Sequence, residues 1–219
     1  MERFAERPTE RIVPDAWRLG AAPGAGALVC AALGWGLAAG LLALLTLFVV
    51  AFFRNPSRAL PGDARTVVAP ADGWVLEVGE VEGPAGDKAL RIGIFLSVFD
   101  VHVNRMPLAG RVLDVERTGS RYLAAMNRDA EHENVRCTLT LETEAGTRFQ
   151  VTQITGLIAR RIVCHAKVGQ WIERGVRYGL IRFGSRTDVV LPRSAVALVA
   201  PGARVHGGST AIAWLEESA

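Results

Sequence analysis

From Leu19 to Phe53 the chain carries no charged residue. One membrane-spanning helix needs only about 20 apolar residues, so the run is too long for a single span and too long and apolar for an ordinary core helix. Gly34-Trp35-Gly36 interrupts it midway. Glycines beside an interfacial aromatic favour a turn there, which predicts two short apolar helices arranged as a re-entrant hairpin. Arg3, Arg7, Arg11 and Arg18 precede the run, and Arg54 and Arg58 follow it. The positive-inside tendency therefore places both flanks in the cytoplasm, whereas a single span from about residue 33 to 53 would translocate four arginines. Glu2, Glu6, Glu10 and Asp15 argue against a cleavable signal peptide. The expected organisation is an interfacial segment over 1–18, a membrane hairpin over 19–53 and a β-rich domain over 54–219. That domain is expected on the cytoplasmic side of the cell membrane, with Arg54 and Arg58 near anionic headgroups.

Past Phe53 the pattern changes to short runs rich in Val, Ile and Phe, separated by turn signals such as Pro61-Gly62-Asp63, Asp72-Gly73 and Pro201-Gly202. Strands are predicted over Thr66–Ala69, Trp74–Val78, Ile92–Val98, Arg111–Val115, Thr138–Leu141, Phe149–Ile154, Ile162–Lys167, Leu180–Phe183, Val189–Leu191 and Ala211–Leu215. A short helix is expected over Tyr122–Arg128. The fold class is then mostly β (α+β), a compact antiparallel β domain behind an N-terminal membrane-inserted helical hairpin.

Charge narrows the chemistry. Lys and Arg number 25 against 22 for Asp and Glu, a formal net charge of +3, so no general polyanion-binding surface is expected and no nucleic-acid partner. Cys30, Cys137 and Cys164 are scattered, and so are His102, His132, His165 and His206. Neither a disulfide framework nor a metal-ligand spacing can be read from them, and no metal is expected.

Arg182-Phe183-Gly184-Ser185-Arg186 places a Gly-Ser step between two strand-like runs. A flexible glycine lets the serine hydroxyl approach the preceding carbonyl, although most Gly-Ser pairs are ordinary turns. The wider stretch Tyr178-Gly179-Leu180-Ile181-Arg182-Phe183-Gly184-Ser185 resembles the processing site of phosphatidylserine decarboxylases, with a glycine five residues before the cleaved Gly-Ser. Pro70-Ala71-Asp72-Gly73, the run from Phe95 to Pro107 and the run from Gly156 to Cys164 also look like the short bacterial and archaeal form of that family. Gly207-Gly208-Ser209-Thr210 superficially looks like the cleavage string of longer members. It lacks the upstream glycine spacing, and it reads as a closing turn like those of biotinyl and lipoyl carrier folds.

The resemblance implies that the Ser185 hydroxyl attacks the Gly184 carbonyl. The resulting ester breaks by β-elimination, and the dehydroalanine hydrolyses to a pyruvoyl group with loss of ammonia. That covalent cofactor, derived from Ser185, would then form a Schiff base with the amine of phosphatidylserine and act as an electron sink for decarboxylation to phosphatidylethanolamine. A weak alcohol nucleophile calls for a base and an orienting carboxylate, and His102 and Asp72 are the candidates. Longer members carry a second histidine where this chain has Arg105, which leaves the proton carrier open between His102 and Asp72 with a water. Phe95, Phe99 and Met106 are candidates for an apolar pocket, and Arg160, Arg161, Arg182 or Arg186 for a phosphodiester contact. The expected partners are phosphatidylserine and the bilayer, with the two cleavage fragments held together and a homodimer left open.

The competing reading is a membrane-anchored, non-catalytic lipoyl- or biotinyl-like binding module. Such a module needs an attachment lysine, and Leu191 to Ala219 contains none. A serine hydrolase would call for a Gly-x-Ser-x-Gly elbow before a helix, which Ser185 does not have.

Overall fold

The computed structural model describes residues 11–83, 86–127, 129–157, 161–182 and 184–216. The chain divides into two compact units, one over Arg7–Ser57 and one formed chiefly by the chain from Arg58 onward.

The first unit is a helical hairpin. Helix α1 (Asp15–Ala32) and helix α2 (Gly36–Phe52) flank a turn in which Gly34 takes φ +77°, a left-handed torsion that glycine adopts without a Cβ penalty. The expected turn at Gly34-Trp35-Gly36 is therefore present. α1 begins four residues before the uncharged run, because Pro14, with its fixed φ, sits at its N-cap. Small residues bring the helices together: a Cβ on Gly20 would lie 3.7 Å from Val49, and one on Gly24 3.6 Å from Thr46. Leu28, Leu37, Leu41, Leu44 and Leu47 remain exposed. At 18 and 17 residues the helices are each about 26 Å long. No helix among the described residues is long and apolar enough to cross a membrane.

The second unit is built from strands β1 (Thr66–Val68), β2 (Gly73–Glu82), β3 (Lys88–Leu96), β4 (Val103–Arg105) and β5 (Gly110–Thr118). After helix α3 (Ala130–Glu133) come β6 (Arg136–Glu142), β7 (Arg148–Ile154), β8 (Arg161–Cys164), β9 (Trp171–Ile172) and β10 (Arg177–Arg182). The last four are β11 (Ser185–Pro192), β12 (Ala195–Ala197), β13 (Arg204–Val205) and β14 (Ala211–Leu215). They form an eight-stranded antiparallel sheet in the order β13-β2-β3-β11-β7-β6-β5-β9 and two three-stranded sheets, β1-β14-β12 and β4-β10-β8. The mostly β, antiparallel class is as expected.

Period-two patterning builds the core. In β6, Cys137, Leu139 and Leu141 point inward while their neighbours are half-buried. Leu139 and Leu141 pack with Ile92, Ile94, Phe149, Val151, Val189 and Leu191, and each large apolar side chain buried in this way contributes about 1.5–3 kcal/mol. Central strand β11 is covered on both faces.

The helix expected at Tyr122–Arg128 is not formed over 122–127, and Arg128 lies outside the described residues. The chain there runs as loop and turns, because Asn134 draws the segment inward by accepting from Leu123 N (2.7 Å) and donating to Leu123 O (2.9 Å). The helical turn falls instead at α3. Strands β4, β9, β12 and β13 are too short to leave a periodic signal. The C-terminal segment is no separate carrier module: β12 and β14 pair with each other, β14 with β1, and β13 with β2.

Candidate active site

β10 ends at Arg182 and β11 begins at Ser185, and the two strands belong to different sheets. Gly184 makes the corner with φ +62°. Ser185 is the first residue of β11, paired with Leu96 of β3 and fully buried. Its Oγ has no hydrogen-bond partner among the described residues. A buried hydroxyl without a partner is costly, and here it belongs to the serine that follows the corner glycine.

His102, between Asp100 and β4, is also buried. Gly184 N donates to its Nε2 at 3.1 Å, so Nε2 accepts and Nδ1 carries the proton, which it donates to the backbone oxygen of Asp100 at 2.9 Å. The fold thus brings Gly184, Ser185 and His102 together.

Asp72 is held elsewhere. Its Oδ2 pairs with Arg58 Nη2 at 2.8 Å, its Oδ1 accepts from Gly207 N at 2.8 Å, and His206 Nδ1 lies 3.5 Å from Oδ2. These contacts tie down the turn that contains Ser209, where the hydroxyl of Thr210 accepts from His206 N at 2.9 Å. The orienting group at His102 Nδ1 is therefore the Asp100 carbonyl and not the Asp72 carboxylate, because the Asp100–His102 turn supplies an acceptor two residues away. Arg58, expected near lipid headgroups, is committed to Asp72.

Several parts of the site carried no local signal in the sequence. The Asp100 carboxylate accepts from Ser97 N at 2.8 Å and pairs with Arg204, whose guanidinium also lies over the Trp74 ring. Burial works to raise the Asp100 carboxyl, but the hydrogen bonds from Arg204 and Ser97 outweigh it and hold the group below the usual carboxylate range. On the face of β11 shared with Ser185, Thr187 accepts from Asn104 Nδ2 at 3.2 Å, and Asn104 accepts from Gln153 Nε2 at 2.7 Å. Asn104, Gln153 and Thr187 are all fully buried. Gly179, singled out by its spacing, lets β10 approach β8, since a Cβ there would lie 2.3 Å from Val163 O.

Other expected roles shift. Met106 is fully buried among core side chains, whereas Phe99 is 76% exposed. Arg186 is buried and paired with Asp188 (Nε to Oδ1 2.6 Å), Glu77 and Glu131, so it is not available to a phosphodiester. Arg160 lies outside the described residues. Glu77, Glu131 and Asp188 come within metal-ligating reach of one another, but Arg186 and Arg91 occupy the space between them as counter-ions. Cys137 and Cys164 are free thiols within hydrogen-bonding reach of each other.

The family described as phosphatidylserine decarboxylase matches residues 45–213. The chain is 50% identical over 188 residues to the phosphatidylserine decarboxylase proenzyme of Pelobacter propionicus, covering 85% of each chain. It is 46% identical over 189 residues to the proenzyme of Geotalea uraniireducens (86% of this chain, 89% of the relative). It is 48% identical over 202 residues to that of Symbiobacterium thermophilum (89% and 94%). The chain is an enzyme belonging to the phosphatidylserine decarboxylase family.

Proposed function

We propose that the chain cuts its own backbone between Gly184 and Ser185, converts Ser185 to a pyruvoyl group, and uses that group to decarboxylate phosphatidylserine to phosphatidylethanolamine. The observation that carries this reading is the clamped Gly184–Ser185 step: the Gly184 N–H rests on His102 Nε2, and the Ser185 hydroxyl is buried with no hydrogen-bond partner among the described residues.

In the first step the Ser185 Oγ–H adds across the Gly184 carbonyl. The amide C–N bond breaks, the nitrogen takes the proton, and an ester joins Gly184 to Ser185 Oγ. His102 Nε2, which accepts from the N–H of the residue whose carbonyl is attacked, is the candidate base. Removal of the Ser185 Cα proton then expels the Gly184 carboxylate. The enamine left on residue 185 tautomerises to an imine, adds water and releases ammonia. The buried, unpartnered Ser185 position fits a small ketone that accepts no obligatory hydrogen bond. Once formed, the pyruvoyl group supplies an electron sink for the carbanion left by carbon dioxide. The chain's own residues hold it in place: β11 lies between β3 and β7, so the 185–219 fragment is retained without a covalent link.

The hairpin Asp15–Phe52, with its exposed leucines, is read as the bilayer anchor that keeps the enzyme at its lipid substrate on the cytoplasmic side. Trp17 and Trp35, both exposed, suit the interface.

Intact-mass measurement on the purified chain, before and after borohydride in the presence of phosphatidylserine vesicles, tests the proposal. The expected products are 1–184 and a 185–219 fragment lighter than its encoded mass by one ammonia, which gains a reducible lipid adduct. An uncut chain that releases carbon dioxide would overturn the cleavage reading. A cut at Ser209 would move the site.

A further inference from the structure

The geometry points to Gly156 as the positioning residue that fixes the carbonyl of the scissile bond, an inference that rests on cleavage at Gly184–Ser185. A Cβ built on Gly156 would lie 2.3 Å from Gly184 O and 3.3 Å from Gly184 C. The bare α-carbon therefore sits in contact with the oxygen of the bond that Ser185 attacks. Gly156 is not among the positive-φ glycines, so its own torsion does not call for glycine. The neighbouring carbonyl does.

Gly156 cannot readily move aside. Thr155, one residue before it, is pinned by N to Val135 O at 3.0 Å, by Oγ1 to Val135 O at 2.9 Å, and by its carbonyl, which accepts from Asn134 Nδ2 at 2.8 Å. Asn134 and Thr155 are both fully buried. Ala125 Cβ would also lie 3.4 Å from a Cβ at Gly156. The Gly184–Ser185 dipeptide is thus held at three points: His102 on the Gly184 N–H, Leu96 opposite Ser185, and Gly156 against the Gly184 carbonyl oxygen.

This matters for the first chemical step. The hydroxyl of a serine attacks the carbonyl of its own peptide bond through a strained five-membered arrangement, so the orientation of that carbonyl decides whether the approach is productive. Misplacing a reacting atom by about 1 Å can cost on the order of 100-fold in rate. A methyl at residue 156 forces a displacement of that order, because an ordinary carbon–oxygen contact is roughly 1 Å longer than the 2.3 Å available.

The test is self-cleavage of purified Gly156→Ala, followed on denaturing gels at a temperature where unfolding measurements show the chain folded. Wild type and Gly62→Ala run in parallel. Gly62 has φ +60°, and a Cβ there would meet Thr66 at 2.2 Å, so that variant reports crowding away from the site. The expected result is a cut about 100-fold slower in Gly156→Ala and at the wild-type rate in Gly62→Ala. Hydroxylamine, which opens a Gly184 ester, separates positioning from general damage: it should release fragments from wild-type precursor and release them about 100-fold more slowly from Gly156→Ala, where ester formation is the slowed step. Hydroxylamine release at the wild-type rate from Gly156→Ala would overturn the inference. Where Gly156→Ala yields no folded chain, Thr155→Val removes one pin without adding atoms; a cut slowed about 10-fold supports the inference and an unchanged cut overturns it. A wild-type chain that never cuts at Gly184–Ser185 would instead overturn the reading on which it rests.

Discussion

The backbone N–H of Gly184 donates to Nε2 of His102 at 3.1 Å, across 82 residues of sequence. The bond fixes the histidine tautomer, because Nδ1 must then donate to the Asp100 carbonyl. It also anchors the imidazole to the residue that supplies the carbonyl of the bond that self-cleavage breaks.

Replacing His102 with Ala removes that acceptor. Self-cleavage of His102→Ala should slow by about 100-fold or more, read as the fraction of uncut chain over time on denaturing gels. A cut at the parental rate would show that another group carries the proton.

Ser185→Ala should leave the chain full length. In a His102→Ala background, where neither chain cuts quickly, the same substitution should stabilise the fold by about 1 kcal/mol, because it removes a buried hydroxyl that has no partner among the described residues. Urea unfolding of the two uncut chains measures the difference.

Asp100 gives a pH dependence. Its carboxyl is held below the usual value of about 3.9, so its contribution to stability is full above roughly pH 4 and is lost as pH falls through the folded-state value. Arg204→Met, in the uncut Ser185→Ala background, should lower the thermal midpoint most at neutral pH. The gap from its parent should shrink toward pH 3. A gap of constant size would mean that Arg204 acts through packing on Trp74 alone.

Arg186 is buried among Asp188, Glu77 and Glu131. Arg186→Met in the uncut background should destabilise by about 3–5 kcal/mol, since it leaves the Asp188 carboxylate buried without the counter-ion it pairs with. The double change Arg186→Met and Asp188→Leu should recover a large part of that loss, as judged by urea midpoints.

Much of this molecule is legible along the chain. The uncharged run and its Gly-Trp-Gly break specify two helices and a turn, because helix length and left-handed torsions are local properties. Alternating apolar residues mark the long strands, because burial in a sheet repeats every two residues. Gly184, Ser185 and His102 are also visible through motif order. What remained hidden depends on contacts between distant segments. Short strands β4, β9, β12 and β13 exist only through their partners. The commitment of Asp72 to Arg58 and Gly207, and of Arg186 to three carboxylates, follows from strand register, which no local pattern of charges reveals. Gly156 shows the division most clearly: the sequence determined that a glycine stands there, and only the tertiary structure decided that its missing side chain leaves room for the carbonyl of Gly184.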